Sequence, residues 1–555
     1  MQKPKQKILI AMAHIAEDSE AVPLGAASVI AALKSSASKN TDFSFLLQEN
    51  YIADGSEAIL KKILNKQPDM VGFSMYSWNR FLLLEVAKKI RSINPDILLF
   101  CGGPEVTALP NGLSIKEGGP FDTVILGEGE KGTCHFISMA LANKEFPAVI
   151  RTPLMQAEEL ARLPSPWLEG ILEIRRGRGI VWELGRGCPY SCSYCYESKG
   201  EKKVRYFPDE RLLKELRFFF KTNPPSVTVL DPTFNTNNKR ALMILDMIIR
   251  EAPGPHWHFE VRGELLTHEQ ARRFARLRSS LQIGLQSSNP EICSLIGRDF
   301  KRGRFEKGIH FLHEEGITFG LDLIYGLPGD TLAGYRKSLD YAISLYPDSL
   351  DIFRLSVLPG TSLYSSAKKL GVYADPNAPY YVIKTETFPE KDIMAAERLS
   401  KAAALFYNRG RAVAWFNQLL YPISKKPSVF LSGFADYMEE GDPETRSFWE
   451  SHDFDNAGEF LSIEIEQFQL AYISKMYKKA RKEYLLPAVK DIVRFHGAWG
   501  RALVEGVTTK TDFSYDPELL CESGAIDMEG FVRESGISKR SIVIRPGPEE
   551  PEVLY

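Results

Sequence analysis

Cys188, Cys192 and Cys195 lie within the run Gly185-Arg-Gly-Cys-Pro-Tyr-Ser-Cys-Ser-Tyr-Cys-Tyr196. Thiolates packed this closely make a soft-metal site. A closed structural site takes four ligands, whereas a catalytic one keeps a coordination position open. No fourth cysteine follows closely, and three suit an iron–sulfur cubane whose remaining iron stays free for a substrate or cofactor. The alternative is a zinc-stabilised module with a distant fourth ligand. A zinc knuckle brings a second Cys or His pair at short spacing. The nearest downstream candidates here, His256 and His258, stand far along the chain in a strand-like segment.

A loop of this kind needs a frame. From Gly179 the pattern predicts six strand-plus-helix units, with strands at 180–184, 227–230, 258–261, 281–285, 319–324 and 350–355. The cysteines follow the first strand. Polar runs close the next five: Asp231 to Asn235, Glu260 to Glu264, Gly284 to Ser287, Gly320 to Gly329, and Val357 to Thr361. Barrel enzymes place their chemistry at the carboxyl ends of strands, where these residues fall. Each also has a plain structural reading: Gln286 and Ser287 could cap a helix starting near Pro290, and Asp322 could be a satisfied buried acid.

Residues 1–150 alternate strand and helix from Ile8 onward, which predicts a parallel sheet covered on both faces. Its Gly-rich strand ends, Gly102-Gly-Pro-Glu105 and Gly127-Glu-Gly-Glu130 among them, cluster where open α/β sheets hold ligands. Small residues there let a large flat ligand approach the backbone. Residues 151–175 read as a connector stiffened by Leu163-Pro-Ser-Pro-Trp167. That leaves a barrel at 176–370 and a mainly helical region of unassigned role at 371–555.

The cysteine spacing, with aromatic Tyr194 before the last cysteine, resembles the radical S-adenosylmethionine (radical SAM) enzymes, and six βα units match their partial barrel. The resemblance implies a [4Fe-4S] cluster on Cys188, Cys192 and Cys195 whose open iron chelates S-adenosylmethionine, with Tyr194 beside the adenine. One electron then cleaves the sulfonium to a 5′-deoxyadenosyl radical. The fourth and fifth strand ends resemble coproporphyrinogen-dehydrogenase-like members. By that likeness Asp231, Thr233 and Asn235 lie near the methionyl amine, Glu260, Gln286 and Ser287 bond the carboxylate or ribose, and Gly326 to Gly329 run near the adenine.

The N-terminal pattern resembles the cobalamin-binding domain of one large subfamily, through Val22-Pro-Leu-Gly25, Gly72-Phe-Ser74 and the two Gly-rich ends. Leu24, Gly25, Ser74, Gly102, Gly103, Glu105, Gly127, Glu128 and Gly129 are the implied contacts. The Asp-x-His-x-x-Gly motif that supplies a histidine to cobalt is missing, and His14 is only a loose positional candidate. Cobalamin is therefore expected base-off, with no histidine on the metal.

Composition sets the outer bounds. A 555-residue chain should hold about three or four domains at ~150 residues each. Lys+Arg at 69 against Asp+Glu at 71 gives no general attraction for nucleic acid or anionic membrane. Seven cysteines without a disulfide framework fit a reducing cytoplasm. The start, from Lys3 through Ile8 to Ala13, only imitates a signal peptide and reads better as a buried strand, and no apolar run is long enough for a membrane helix.

In the last third, helices are expected at 391–407 and 463–495, the second interrupted near Pro487. An aromatic cluster (Trp415, Phe416, Tyr421, Phe430, Phe434, Tyr437) is expected in core packing rather than a cavity wall. The basic strip Lys475 to Lys482 reads as a solvated face, and the tail 545–555 as mobile.

The expected function is a cobalamin-dependent radical SAM enzyme that modifies an unactivated carbon, most simply by methyl transfer, fed by a single-electron donor such as flavodoxin or ferredoxin. A radical cyclase or rearrangement enzyme, and a zinc-stabilised RNA-binding module, are the alternatives. A tRNA methylthiotransferase would need three more N-terminal cysteines, and only Cys101 and Cys134 precede the motif. The sequence leaves the substrate open.

Overall fold

The structure is a computed structural model that describes all residues except 1–5, 18–20, 38–42, 143, 176, 199–201, 452–461, 523–526 and 549. Lys3, at the start of the signal-like run, therefore lies outside the described residues.

Six parallel strands form the first sheet: β1 (Gln6–His14), β2 (Phe43–Tyr51), β3 (Met70–Ser74), β4 (Leu98–Gly102), β5 (Thr123–Leu126) and β6 (Val149–Arg151), in the order β2-β1-β3-β4-β5-β6. Side chains alternate across a strand, so this sheet builds two cores. Leu9, Ala11, Val71, Phe73 and Leu99 pack on helices Gly55–Leu64 and Arg80–Ile93. Ile8, Ile10, Phe100 and Ile125 pack on helices Leu24–Ser36 and Gly129–Leu141. The chain reverses direction across the sheet between β1 and β3, which opens a crevice at their carboxyl ends. Strand β6 was not predicted: only Ile150 of its three residues is buried, so an edge position leaves almost no apolar signal.

The second sheet begins with β7 (Ile180–Trp182). A two-residue ribbon, β8 (Gly185–Arg186) with β9 (Arg205–Tyr206), then brackets the cysteine loop. Strands β10 (Ser226–Val229), β11 (His256–Val261), β12 (Ser279–Gln286), β13 (Thr318–Tyr325) and β14 (Ser349–Arg354) come next, all parallel and side by side in chain order from β7. No pairing joins β7 to β14 among the described residues, so the barrel stays open. All six predicted strands are present, each shifted by a few residues at most.

The connector is not a free spacer. Met155, Leu160, Trp167 and Leu172 are buried in the same core as β7 and β10, with Trp167 edge-on to Phe219 at 5.8 Å.

Beyond the barrel come a hairpin, β15 (Val372–Ala374) with β16 (Val382–Thr385), and a set of helices. The first predicted helix is Glu390–Ala403, continued by a wider π turn through Arg409. The expected helix 463–495 is two, Ser462–Lys479 and Leu486–Gly500. The break falls before Pro487, which sits in the first turn of the second helix, where its missing N–H costs nothing. The chain ends in an antiparallel sheet, β17 (Thr509–Phe513), β18 (Arg540–Arg545) and β19 (Glu552–Leu554). The tail expected to be mobile is thus the strand β19 paired to β18, an order its Pro- and Glu-rich composition concealed.

Trp415, Phe416, Phe430 and Phe434 are core residues, whereas Tyr421 is 86% exposed. Lys475 stacks over the Tyr437 ring and Lys482 pairs with Glu529 at 2.6 Å, while Lys478 and Lys479 face solvent. No described helix is long and apolar enough to cross a membrane.

Phe406 is the hub of this aromatic core, fully buried with ring centroids of Phe434, Phe430, Phe416 and Trp415 at 4.9 to 5.8 Å. Phe406→Ala should destabilise the protein by roughly 3–5 kcal/mol through the cavity it leaves. A chemical-denaturation midpoint unchanged from wild type would contradict this packing.

Candidate active site at the barrel mouth

The cysteine loop is irregular, and its shape is imposed from outside. The buried Asp231 carboxylate accepts the Leu184 N–H at 3.2 Å, which fixes the chain as it leaves the first barrel strand. Farther on, the Ser193 peptide is held on both sides: its N–H donates to Ile296 O at 2.8 Å and its carbonyl accepts from Leu363 N, also at 2.8 Å. Gly297 makes this fit possible. Its φ is +71°, and a Cβ there would stand 2.5 Å from Ser191 O.

Cys188 and Cys192 are each 8% exposed and Cys195 is half-buried. The Thr233 hydroxyl bonds to Cys188. Burial raises the Cys188 thiol and pushes Cys195 up to about 11, so metal must displace a proton at each. Among the described residues, no three His, Cys, Asp or Glu side chains converge on a point that could hold a single metal ion. A cubane needs no such convergence, because each thiolate binds a different iron. His256 and His258, the candidates for a fourth zinc ligand, instead flank Ser280 at 3.2 and 2.7 Å. The residues fit a three-cysteine cluster and do not fit zinc.

On the inner wall of the barrel, Gln286 occupies a bulge in β12 with φ +68°, and its buried Oε1 has no hydrogen-bond partner. Arg298 was not singled out from the sequence. It is 6% exposed, its guanidinium donates to Gly284 O, and its Nε lacks a partner. The head groups of Gln286 and Arg298 converge over Gly284, beside Asp322 in the register. Burial pushes the Asp322 carboxyl up to about 7, and Gln282 donates to it and to Asp351. Glu264 is similarly unsatisfied: both its oxygens are buried without hydrogen bonds, the nearest cation being Arg262 at 3.8 Å. Unpaired buried polar atoms mark a place made for a polar ligand.

Other expected contacts are spent on the protein itself. The Asn235 amide bridges the N–H and carbonyl of Arg262, both at 3.0 Å, and ties two strand ends together. Ser287 Oγ accepts the Asn289 N–H at 3.2 Å, while Asn289, not Ser287, caps the helix Pro290–Leu295. Gly326 lies against Val382 and Ile393 of the C-terminal region.

One cavity of about 580 Å³ runs from this mouth into the N-terminal sheet. Gly25, Ser74, Gly102, Gly103, Gly127, Glu128 and Gly129 line one end, and Tyr196 and Glu260 the other. Leu24 and Glu105 do not line it. Leu24 packs toward the barrel core, and Glu105 is buried between Arg80 and the Tyr380 hydroxyl.

The inner end is an apolar slot of Ile10, Ala26, Val29, Phe100 and Ile125, between helices Leu24–Ser36 and Gly129–Leu141. Gly129 faces Val29, and a Cβ at Gly132 would stand 2.6 Å from Ile125. The slot suits a flat aromatic base and the glycine-lined end a broad ring, which is the shape of base-off cobalamin. Among the described residues no histidine lines the cavity. His14 lies aside at the end of β1, near Tyr51 and Glu49.

The two ends are pinned together by buried charge. Arg186, beside the cysteines, bonds Glu130 at 2.7 Å and Glu183 at 2.9 Å. Glu128 takes Arg205 at 2.9 Å and the Met155 N–H at 2.7 Å, so its carboxylate serves the interface. The Tyr196 hydroxyl donates to Pro104 O at 2.6 Å.

Comparison with known proteins agrees with this geometry. The radical SAM superfamily matches residues 182–342 and the B12 binding domain residues 11–137. The cobalamin-dependent radical SAM methyltransferase TokK of Streptomyces tokunonensis is 27% identical over 345 residues, covering 54% of this chain and 49% of TokK. The chain thus spans about half the length of that relative. The cobalamin-dependent S-adenosylmethionine radical enzyme OxsB superposes with TM-score 0.59 at 13% identity, over 86% of this chain and 80% of its own. The radical S-adenosylmethionine methyltransferase TsrM of Kitasatospora setae gives 0.54 at 16%, over 69% and 81%. Both share the fold. The chain thus carries a radical SAM domain, with the three cysteines on its barrel, and a B12-binding domain over the mouth.

Proposed function

We propose that this protein is a cobalamin-dependent radical SAM methyltransferase that acts on an unactivated carbon and draws single electrons from a flavodoxin- or ferredoxin-type donor. The observation that carries the reading is the cavity of about 580 Å³ that joins the apolar slot of the N-terminal sheet to the cysteine loop. When bound, the cluster supplies the electron that cleaves S-adenosylmethionine, and cobalamin supplies the methyl group.

The chain's own residues hold these groups and exclude water. Cys188, Cys192 and Cys195 ligate the cluster. Arg298, whose guanidinium lies over Gly284, holds the carboxylate of S-adenosylmethionine, and the Gln286 amide oxygen and Asp322 beside it accept from its ribose hydroxyls. Glu260 lines the barrel end of the cavity. Arg186, Glu130 and Glu128 keep the two walls at a fixed separation. The methyltransferase relatives support methyl transfer over cyclisation.

Protein purified without oxygen from cobalamin-supplied cells should carry about four irons and one cobalt per chain. On turnover it should release both 5′-deoxyadenosine and S-adenosylhomocysteine. Zinc in place of iron and cobalt would overturn the reading, and 5′-deoxyadenosine without S-adenosylhomocysteine would favour a cyclase.

Arg298→Leu removes a charge-assisted bond of about 1.5–3 kcal/mol, so S-adenosylmethionine should bind roughly ten- to hundredfold more weakly. Arg298→Lys should recover part of this, with iron content unchanged, as equilibrium dialysis against the iron-loaded protein would read.

Val29→Trp fills the slot and should abolish cobalt uptake while leaving iron uptake intact. Equal loss of both metals would mean that the slot is structural.

A further inference from the structure

The cysteine loop is covered on most sides and thin on one. Tyr196 lies under the N-terminal sheet, and Tyr194 packs toward Arg298 and the barrel core. Between Cys188 and Cys195, however, Ser191 is exposed, and Ser193 is held by the peptides of Ile296 and Leu363 and by the Ser362 hydroxyl. Ser191, next to the buried Cys192, is the one exposed residue between the first and last cysteines.

The surroundings of this thin place differ from the rest of the chain. Exposed charged side chains on the flanking segments 297–304 and 362–369 are Lys301, Arg302, Arg304, Lys368 and Lys369, against Asp299; of these cations Lys301 pairs with Asp299 at 3.2 Å and Arg302 reaches Glu306 at 4.0 Å. The chain as a whole carries a net charge of −2. Lys368 and Lys369 have no acidic partner among the described residues. Beside them two large apolar side chains stand out, Leu295 at 46% and Tyr364 at 48% exposure. Apolar side chains with unpaired lysines nearby, on segments bonded to the loop beside the exposed Ser191, match a small acidic partner that delivers electrons.

We propose that this face is the docking surface of an acidic one-electron carrier of the flavodoxin or ferredoxin type. The inference rests on the cysteines holding a cluster. In the encounter the carrier is oxidised by one electron and the cluster reduced by one, with no bond made or broken and no proton moved. Cations around the contact steer the carrier in, and Leu295 with Tyr364 gives it a dry footing. Electron transfer weakens steeply with distance, so docking at the thin side is what makes it fast.

The test uses the iron-loaded holoenzyme with Lys368→Glu and Lys369→Glu combined. Stopped-flow absorbance follows cluster reduction by flavodoxin hydroquinone, at low and high salt, and by dithionite as a small reductant. The expected result is roughly tenfold slower reduction by flavodoxin at low salt, converging with wild type as salt rises. Dithionite should reduce both proteins equally. A wild-type rate with flavodoxin overturns the proposal. So does an equal slowing with dithionite, which would place the two lysines in the loop's architecture. A wild-type protein that takes up no iron would instead defeat the underlying reading of the cysteines.

Discussion

The Ser193 peptide is bonded through both its N–H and its carbonyl, and the site depends on this double attachment. A loop without regular structure has no internal ladder to hold three side chains at set positions. Here the ladder is borrowed from Ile296 at the end of one helix and Leu363 at the start of another, with Asp231 holding the strand that leads in. Gly297 is required in turn, because only a residue without a side chain lets the Ser191 carbonyl come so near. The barrel acts as a jig: loops beyond its fourth and sixth strands shape the loop beyond its first.

The second constraint is electrostatic. Arg186 and Arg205 cross from the barrel side to Glu130 and Glu128 of the N-terminal sheet, all largely shielded from water. Buried charges pair well only in good geometry, and breaking one partner strands the other. Such an interface tolerates little sliding. It turns two separate sheets into walls of one chamber, with the glycine-lined end facing the cysteine end.

Much of this was legible in the sequence, for particular reasons. Both sheets are parallel; the central strands of the first are buried on both faces and read as apolar runs, whereas the barrel strands alternate buried and half-buried positions between turn residues. The cysteine spacing is strong because few other structures need it. Asp231, Asn235 and Ser287 were rightly placed at strand ends, but whether a polar side chain faces a ligand or a backbone amide is a matter of rotamer, and sequence does not carry it. Arg298 stayed hidden for the converse reason: a single arginine after Gly297 looks like any turn residue until burial and its unpaired Nε single it out. Strands β6 and β19 were missed because short edge strands bury too little to leave a pattern.

The connector between the two sheets has a consequence for how the molecule comes apart. Trp167, Leu160 and Met155 fill the barrel's own core, although they precede its first strand. A chain cut just before that strand would open an apolar hole beside Phe219, and the N-terminal sheet would keep the plug. Combined with the ion pairs across the chamber, this makes the two halves one cooperative unit in unfolding. Local opening of the chamber must then come from elements outside that shared core.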